Sequence, residues 1–194
     1  MKNLLLSASL VVAAVLPSAA QAQAIPPAVI AVVDLDKVTS TCNACKTAAA
    51  ALRSQATALQ SRQQALATPL QTEQKSIQAA IDALNGKEPD AALRSRVQAF
   101  QAKEQQAAQE LQNQQQQLQR NQQYIQKQIA DKLAPIYSQI MQRRGANMMV
   151  EVGTTLATGA ALDISNDVIA ALNTALPSIQ TTAPAQARPT TQGR

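Results

Sequence analysis

The chain has 194 residues, 46% of them hydrophobic, and a formal net charge of +5. It contains no histidine or tryptophan, and only two cysteines, two tyrosines and one phenylalanine. That inventory excludes histidine-based acid–base chemistry and a closed zinc site, and it leaves few of the large side chains that fill a globular core. No catalytic residue, metal or cofactor is expected. Alanine and glutamine dominate instead, and both favour helix.

The first residues describe an export signal. A basic start at Lys2 leads into a 13-residue apolar run, Leu4 to Leu16. Pro17 follows, and then two overlapping small-x-small sites. A spanning helix needs about 20 apolar residues, so the run is too short for an anchor. Residues 1–22 are expected to be a signal peptide, cleaved after Ala22 or Ala24. This points to a mature protein outside the cytosol.

After a loose leader, Val29 to Val33 is a β-branched run that reads as one buried strand ended by Asp34. From about Asp36 to Arg144 the pattern is helical, with interruptions. Stepping alternately four and three residues from Leu52 to Leu84 gives ten positions. All but Gln63 and Glu73 are apolar, which is a heptad seam. Asn85-Gly86-Lys87-Glu88-Pro89 then breaks the helix, and so short a break predicts an antiparallel return. The second arm restarts at Leu93, Val97 and Phe100. Its seam is more polar, with Glu104, Gln114 and Asn121, and it leaves heptad phase after Ile125. Pro69 and Pro135 should kink their helices without ending them.

Gly145 ends the second arm. Met148–Val152 and Ala160–Ile164 read as two further strands, and Ser165 as the cap of a short helix from Asp167 to Leu176. Three short strands and a helix make a body too small to stand alone, with edges that invite pairing between copies. The expected architecture is therefore α+β and mainly α. A hairpin arm over 46–144, with its tip near 85–89, stands on a small β body built from 23–45 and 145–176 that completes itself by oligomerisation. Residues 177–194 are low in complexity and are expected to be disordered.

Charge divides along these lines. Residues 46–144 hold thirteen Lys/Arg against seven Asp/Glu, whereas the body is acidic. A basic arm suggests an acidic polypeptide or an anionic lipid surface as partner. Nucleic acid is disfavoured, because no aromatic residues interleave with the charges. Arg53, Arg62, Lys75, Lys87, Arg94, Arg96 and Lys103 are the candidate sources of this field.

The segments Ile30-Ala31-Val32-Val33-Asp34, Asn147-Met148-Met149-Val150-Glu151-Val152 and Asp163-Ile164-Ser165 with Asp167-Val168-Ile169 flank the polar hairpin. In that order they resemble the OmpH/Skp family of periplasmic chaperones over about residues 29–176. The resemblance implies a homotrimer whose arms enclose unfolded outer-membrane proteins and keep them from aggregating without ATP. The competing reading is a structural coiled-coil scaffold of the cell envelope. Cys42-Asn43-Ala44-Cys45 departs from the family pattern. Its i, i+3 spacing allows a structural disulfide, a redox-active pair or two free thiols, and Lys46 stands where haem attachment expects histidine.

Overall fold

The computed structural model describes residues 25–184, so the expected signal peptide lies outside the described residues. The chain order is β1 (Ile30–Val33), α1 (Leu35–Thr41), α2 (Asn43–Asp82), α3 (Ala91–Arg144), β2 (Met148–Glu151) and α4 (Ser165–Ala175). The fold is mainly helical, with a small two-stranded sheet. β1 and β2 pair in parallel, Ile30 opposite Met148 through Val33 opposite Glu151. A parallel pair needs a crossover, and here the whole helical hairpin is that crossover.

α2 and α3 run about 60 Å and 80 Å at 1.5 Å per residue. Asn85 and Gly86, both with positive φ, turn the chain after α2. Asp90 then caps α3, its carboxylate accepting from the Leu93 N–H at 2.7 Å. At the far end Gly145 takes a left-handed conformation (φ 66°) and the Ala146 N–H reaches back to the Met141 carbonyl at 2.9 Å. A side chain at position 145 would pay a steric penalty there, which is why glycine closes this helix. Both long helices run unbroken through Pro69 and Pro135.

The expected continuous start of the helical region is instead divided at Cys42, whose ψ of 131° ends α1 and begins α2. Cys42 and Cys45 are joined in a disulfide, with 5.1 Å between their Cα atoms. In a regular helix Cβ atoms three apart lie about 5–6 Å from each other. A disulfide needs about 3.8 Å, so the break brings the pair into range. The Asn43 N–H, first of α2, donates to Asn173 Oδ1 on α4 at 2.8 Å and ties the arm root to the body.

The core sits at that root. Val33 from β1, Val38 from α1, Cys42 and Cys45, then Leu133, Ile136 and Ile140 from α3, Ile164 just before α4, and Val168 and Leu172 from α4 form one buried cluster. The out-of-phase apolar residues after Ile125 are thus the stretch where α3 leaves its partner helix and enters the body.

Three expectations need correction. Ala160–Ile164 does not form a third strand: Ala160–Leu162 is a 3-10 turn, and one parallel bridge joins Asp163 to Val32. Asp163 turns the chain there, accepting the Ser165 N–H at 2.8 Å, while Ser165 Oγ accepts from the Asp34 N–H at 2.8 Å. Ser165 therefore bridges to β1 rather than capping α4 as expected. Of the expected loose tail 177–194, residues 185–194 lie outside the described residues, and 177–184 are not loose. Ile179 packs on the core, and backbone groups of residues 180–183 bond side chains of both arms.

Each fully buried leucine or isoleucine contributes about 1.5–3 kcal/mol by leaving water. Leu172→Ala, at a site with 0% exposure, should therefore lower unfolding stability by about 2–5 kcal/mol in urea titration followed by circular dichroism. Leu70→Ala on the half-buried arm seam should cost clearly less.

Candidate functional site

The surface available for function is the pair of arms and the rim of the body. Of the ten first-arm seam positions, all but Ala56 and Gln63 are at least half-buried, and Ile77 is buried. On α3 the seam buries Ala107, Asn121 and Ile125. The remaining arm surface is exposed, with glutamine its most frequent side chain and alanine, threonine, serine and charged residues between. A two-helix rod has little interior, so most of its side chains must face out.

The seven candidate cations divide by their partners. Arg62 forms a two-bond pair with Glu110 across the arms, Nε to Oε1 at 2.5 Å and Nη2 to Oε2 at 2.9 Å. Arg96 does the same with Glu73 at 2.7 and 3.1 Å, and it also donates to Ser76 Oγ at 2.8 Å. These two arginines clip α2 to α3. Arg94 donates to the Pro89 carbonyl at 2.6 Å and braces the tip. Among the described residues, Arg53, Lys75, Lys87, Arg94 and Lys103 make no ion pair. Lys46, Arg120, Lys132 and Arg143 on the hairpin likewise make no ion pair.

Arg62 and Lys103 meet in a cleft of about 450 Å³ between the arms, with Leu66, Pro69, Leu70 and Ala107 as its apolar wall and Glu73 and Glu110 at its edges. Arg53 lies in a second cleft, of about 690 Å³, at the arm root beside Leu52, Ile125 and Ile129. Both clefts combine apolar surface with a cation. Lys75, Lys87 and Arg94 line neither and stand apart along the arms.

Cys42 and Cys45 are 0% and 5% exposed. Cys45 borders the arm-root cleft, yet a pair so nearly shielded from solvent suits a staple rather than a redox centre. Among the described residues no cluster of histidine, cysteine, aspartate or glutamate could hold a metal. No helix there is long and apolar enough to cross a membrane.

Sequence reasoning missed one group. Gln55 on α2 and Gln117, Asn121 and Gln128 on α3 turn their amides toward the segment after α4. The signal was present: Asn121 interrupts an apolar seam, and amides recur at 114, 121 and 128, seven apart.

On the body, Val29, Ile30, Met148 and Leu162 leave 39–47% of their surfaces exposed around the two-stranded sheet. Arms with diffuse charge, shallow clefts and an apolar-rimmed base define a binding protein of the arm-on-base type. The chain belongs to the OmpH-like family, whose description is Outer membrane protein (OmpH-like), matched over residues 29–172. A crystal structure from Caulobacter crescentus CB15, provisionally described as an OmpH-like outer membrane chaperone, superposes with a TM-score of 0.67 at 17% identity. The match covers 84% of this chain and 96% of that one, and it supports the fold. No curated protein sequence matches the chain.

Hydrogen bonds from Arg62 and Arg96 hold the Glu110 and Glu73 carboxyls below their usual range. Depressed carboxylates stabilise the arm above the unfolded-state value of about 4 and lose that effect as pH falls through the folded-state value. Arm helicity should therefore melt at lower temperature near about pH 3 than near about pH 7 by circular dichroism. Glu73→Gln with Glu110→Gln should shrink that difference.

Proposed function

We propose that this chain is a periplasmic, ATP-independent holdase chaperone that keeps unfolded outer-membrane proteins soluble between its basic arms. The observation that carries the reading is the arm itself. Among the described residues, nine of the thirteen cations on the helical hairpin, five of the candidates among them, make no ion pair, its clefts set apolar walls beside charge, and the hairpin belongs to an OmpH-like chain. Such a surface suits a client that offers scattered apolar and acidic groups in no fixed arrangement. Charge attracts over about 8–10 Å at ordinary salt and brings the client in; apolar contact retains it. No step in this cycle needs a reacting group or a nucleotide.

The chain is proposed to act as a homotrimer. A two-stranded sheet is marginal by itself, and the exposed Val29, Ile30 and Met148 side chains offer apolar surface to neighbouring copies. The domain division follows: the sheet, α1 and α4 assemble the base, and the hairpin projects from it. Export by residues 1–22 and an anionic lipid surface as a second partner for the arms belong to the same reading.

The paired guanidinium clips, which stiffen the middle of the hairpin, favour one rival: a scaffold of the cell envelope that holds a single folded partner. Pull-down from an envelope extract separates the two, since a holdase should retain many unrelated barrels and a scaffold one species. For the holdase, an unfolded outer-membrane barrel diluted from urea should stay clear by light scattering at an equimolar amount of trimer. Reversing Arg53, Lys75 and Lys103 to Glu should slow capture, and more so at low salt. Unchanged aggregation with the wild-type protein would reject the reading. Mass measurement in solution should give three copies.

A further inference from the structure

The segment that follows α4 is held along the arms through its backbone. Gln128 bonds Gln180 twice, its Nε2 donating to the Gln180 carbonyl at 2.9 Å and its Oε1 accepting from the Gln180 N–H at 3.0 Å. Seven residues nearer the tip, Asn121 Oδ1 accepts from the Ala183 N–H at 2.8 Å, and Gln117 Nε2 donates to the Ala183 carbonyl at 3.4 Å. Between these rungs Gln55 donates from Nε2 to the Thr181 carbonyl at 3.1 Å.

The groove is preset for this. Asn121 is 4% exposed and donates to Gln55 Oε1 at 2.9 Å, so the floor is an amide pair joining the two helices. Arg120 Nη2 donates to Gln117 Oε1 at 2.5 Å, and Gln117 Nε2 donates to Asn121 Oδ1 at 2.7 Å as well as to the Ala183 carbonyl, so the floor amides are bonded to one another. Seven helical residues rise about 10.5 Å, and three residues of extended chain span about 10 Å. Amides seven apart on α3 therefore match backbone groups three apart on an extended strand. Gln114 stands one heptad beyond Asn121, where a longer occupant would meet the next rung.

All five bonds to the segment end on its N–H and C=O groups, and no strap side chain takes part in them. At residues 180–183 recognition of that kind is indifferent to sequence, while Ile179, just before them, is held by its side chain on the core. Backbone recognition is the chemistry a protein needs to hold many different unfolded chains.

We propose that the groove lined by Gln55, Gln117, Asn121 and Gln128 is a binding site for extended polypeptide backbone, and that residues 180–183 fill it as a built-in competitor until a client displaces them. The identity of the displacing ligand rests on the holdase reading above; the groove and its occupant do not.

The test uses full-length protein and a capped synthetic peptide of residues 177–184. Gln180→Pro with Ala183→Pro deletes both N–H donors of the strap and leaves the groove intact. If the strap is closed about nine-tenths of the time, the peptide should bind this variant about tenfold more tightly than wild type. A peptide of equal length that keeps Ile179 but carries different side chains at 180–183 should bind it with similar affinity, and adding Gln128→Leu should weaken both. Amides 180 and 183 should exchange slowly with deuterium in the wild type and quickly in Gln128→Leu alone. Equal peptide affinity for wild type and the proline variant, or fast exchange at both wild-type amides, would overturn the proposal. If the peptide behaves as expected but no unfolded barrel is kept soluble, the groove stands and the holdase reading fails.

Discussion

Four residues of β1 lie beside four residues of β2, in parallel, with more than a hundred residues between them. Such pairing obliges the intervening chain to leave the body and return to the same side of it. Everything between Val33 and Met148 must therefore form a closed excursion, and two antiparallel helices of unequal length are how this chain makes one. α3 is longer than α2 because it has two tasks, rod at its start and core helix at its end. Leu133, Ile136 and Ile140 belong to the second. The sheet is small, yet its register decides where the arm is rooted.

That root is held by several weak devices acting together. α1 is capped by Asp34, whose carboxylate accepts the Lys37 N–H, and α2 begins at a disulfide-stapled break. Asn173 binds the first amide of α2, and Arg144 at the end of α3 pairs with Asp167 on α4. Beyond the root the arm depends on a thin seam and on two guanidinium–carboxylate clips. Stability is concentrated in the base and declines toward the tip, so the element that meets partners is also the one least constrained.

Much of this organisation is legible in the sequence, for physical reasons that differ by element. The first-arm seam is readable because Leu and Ile recur at heptad spacing and α2 uses them that way. The tip is readable because Gly86 and Pro89 have few other places to be. Ala160–Leu162 misleads, since three small or apolar residues suit a strand equally well, and only the bond between Asp163 and Ser165 reveals the turn. The break at Cys42 is set by cross-linking geometry, which composition does not express. Residues 180–183 look featureless because their order resides in partners on α2 and α3, and backbone recognition leaves no mark on the recognised side chains.

The proportions of α3 have a mechanical consequence. It is continuous from tip to base, whereas α2 is jointed at Cys42 where it meets α1. α3 is therefore the lever and α2 the stay. A tilt of about 5° at the base sweeps the tip through about 5 Å, given an arm of about 60 Å. Small adjustments in how α3 seats against β2 and α4 thus translate into large changes in the space swept by the tip, without any helix having to unwind.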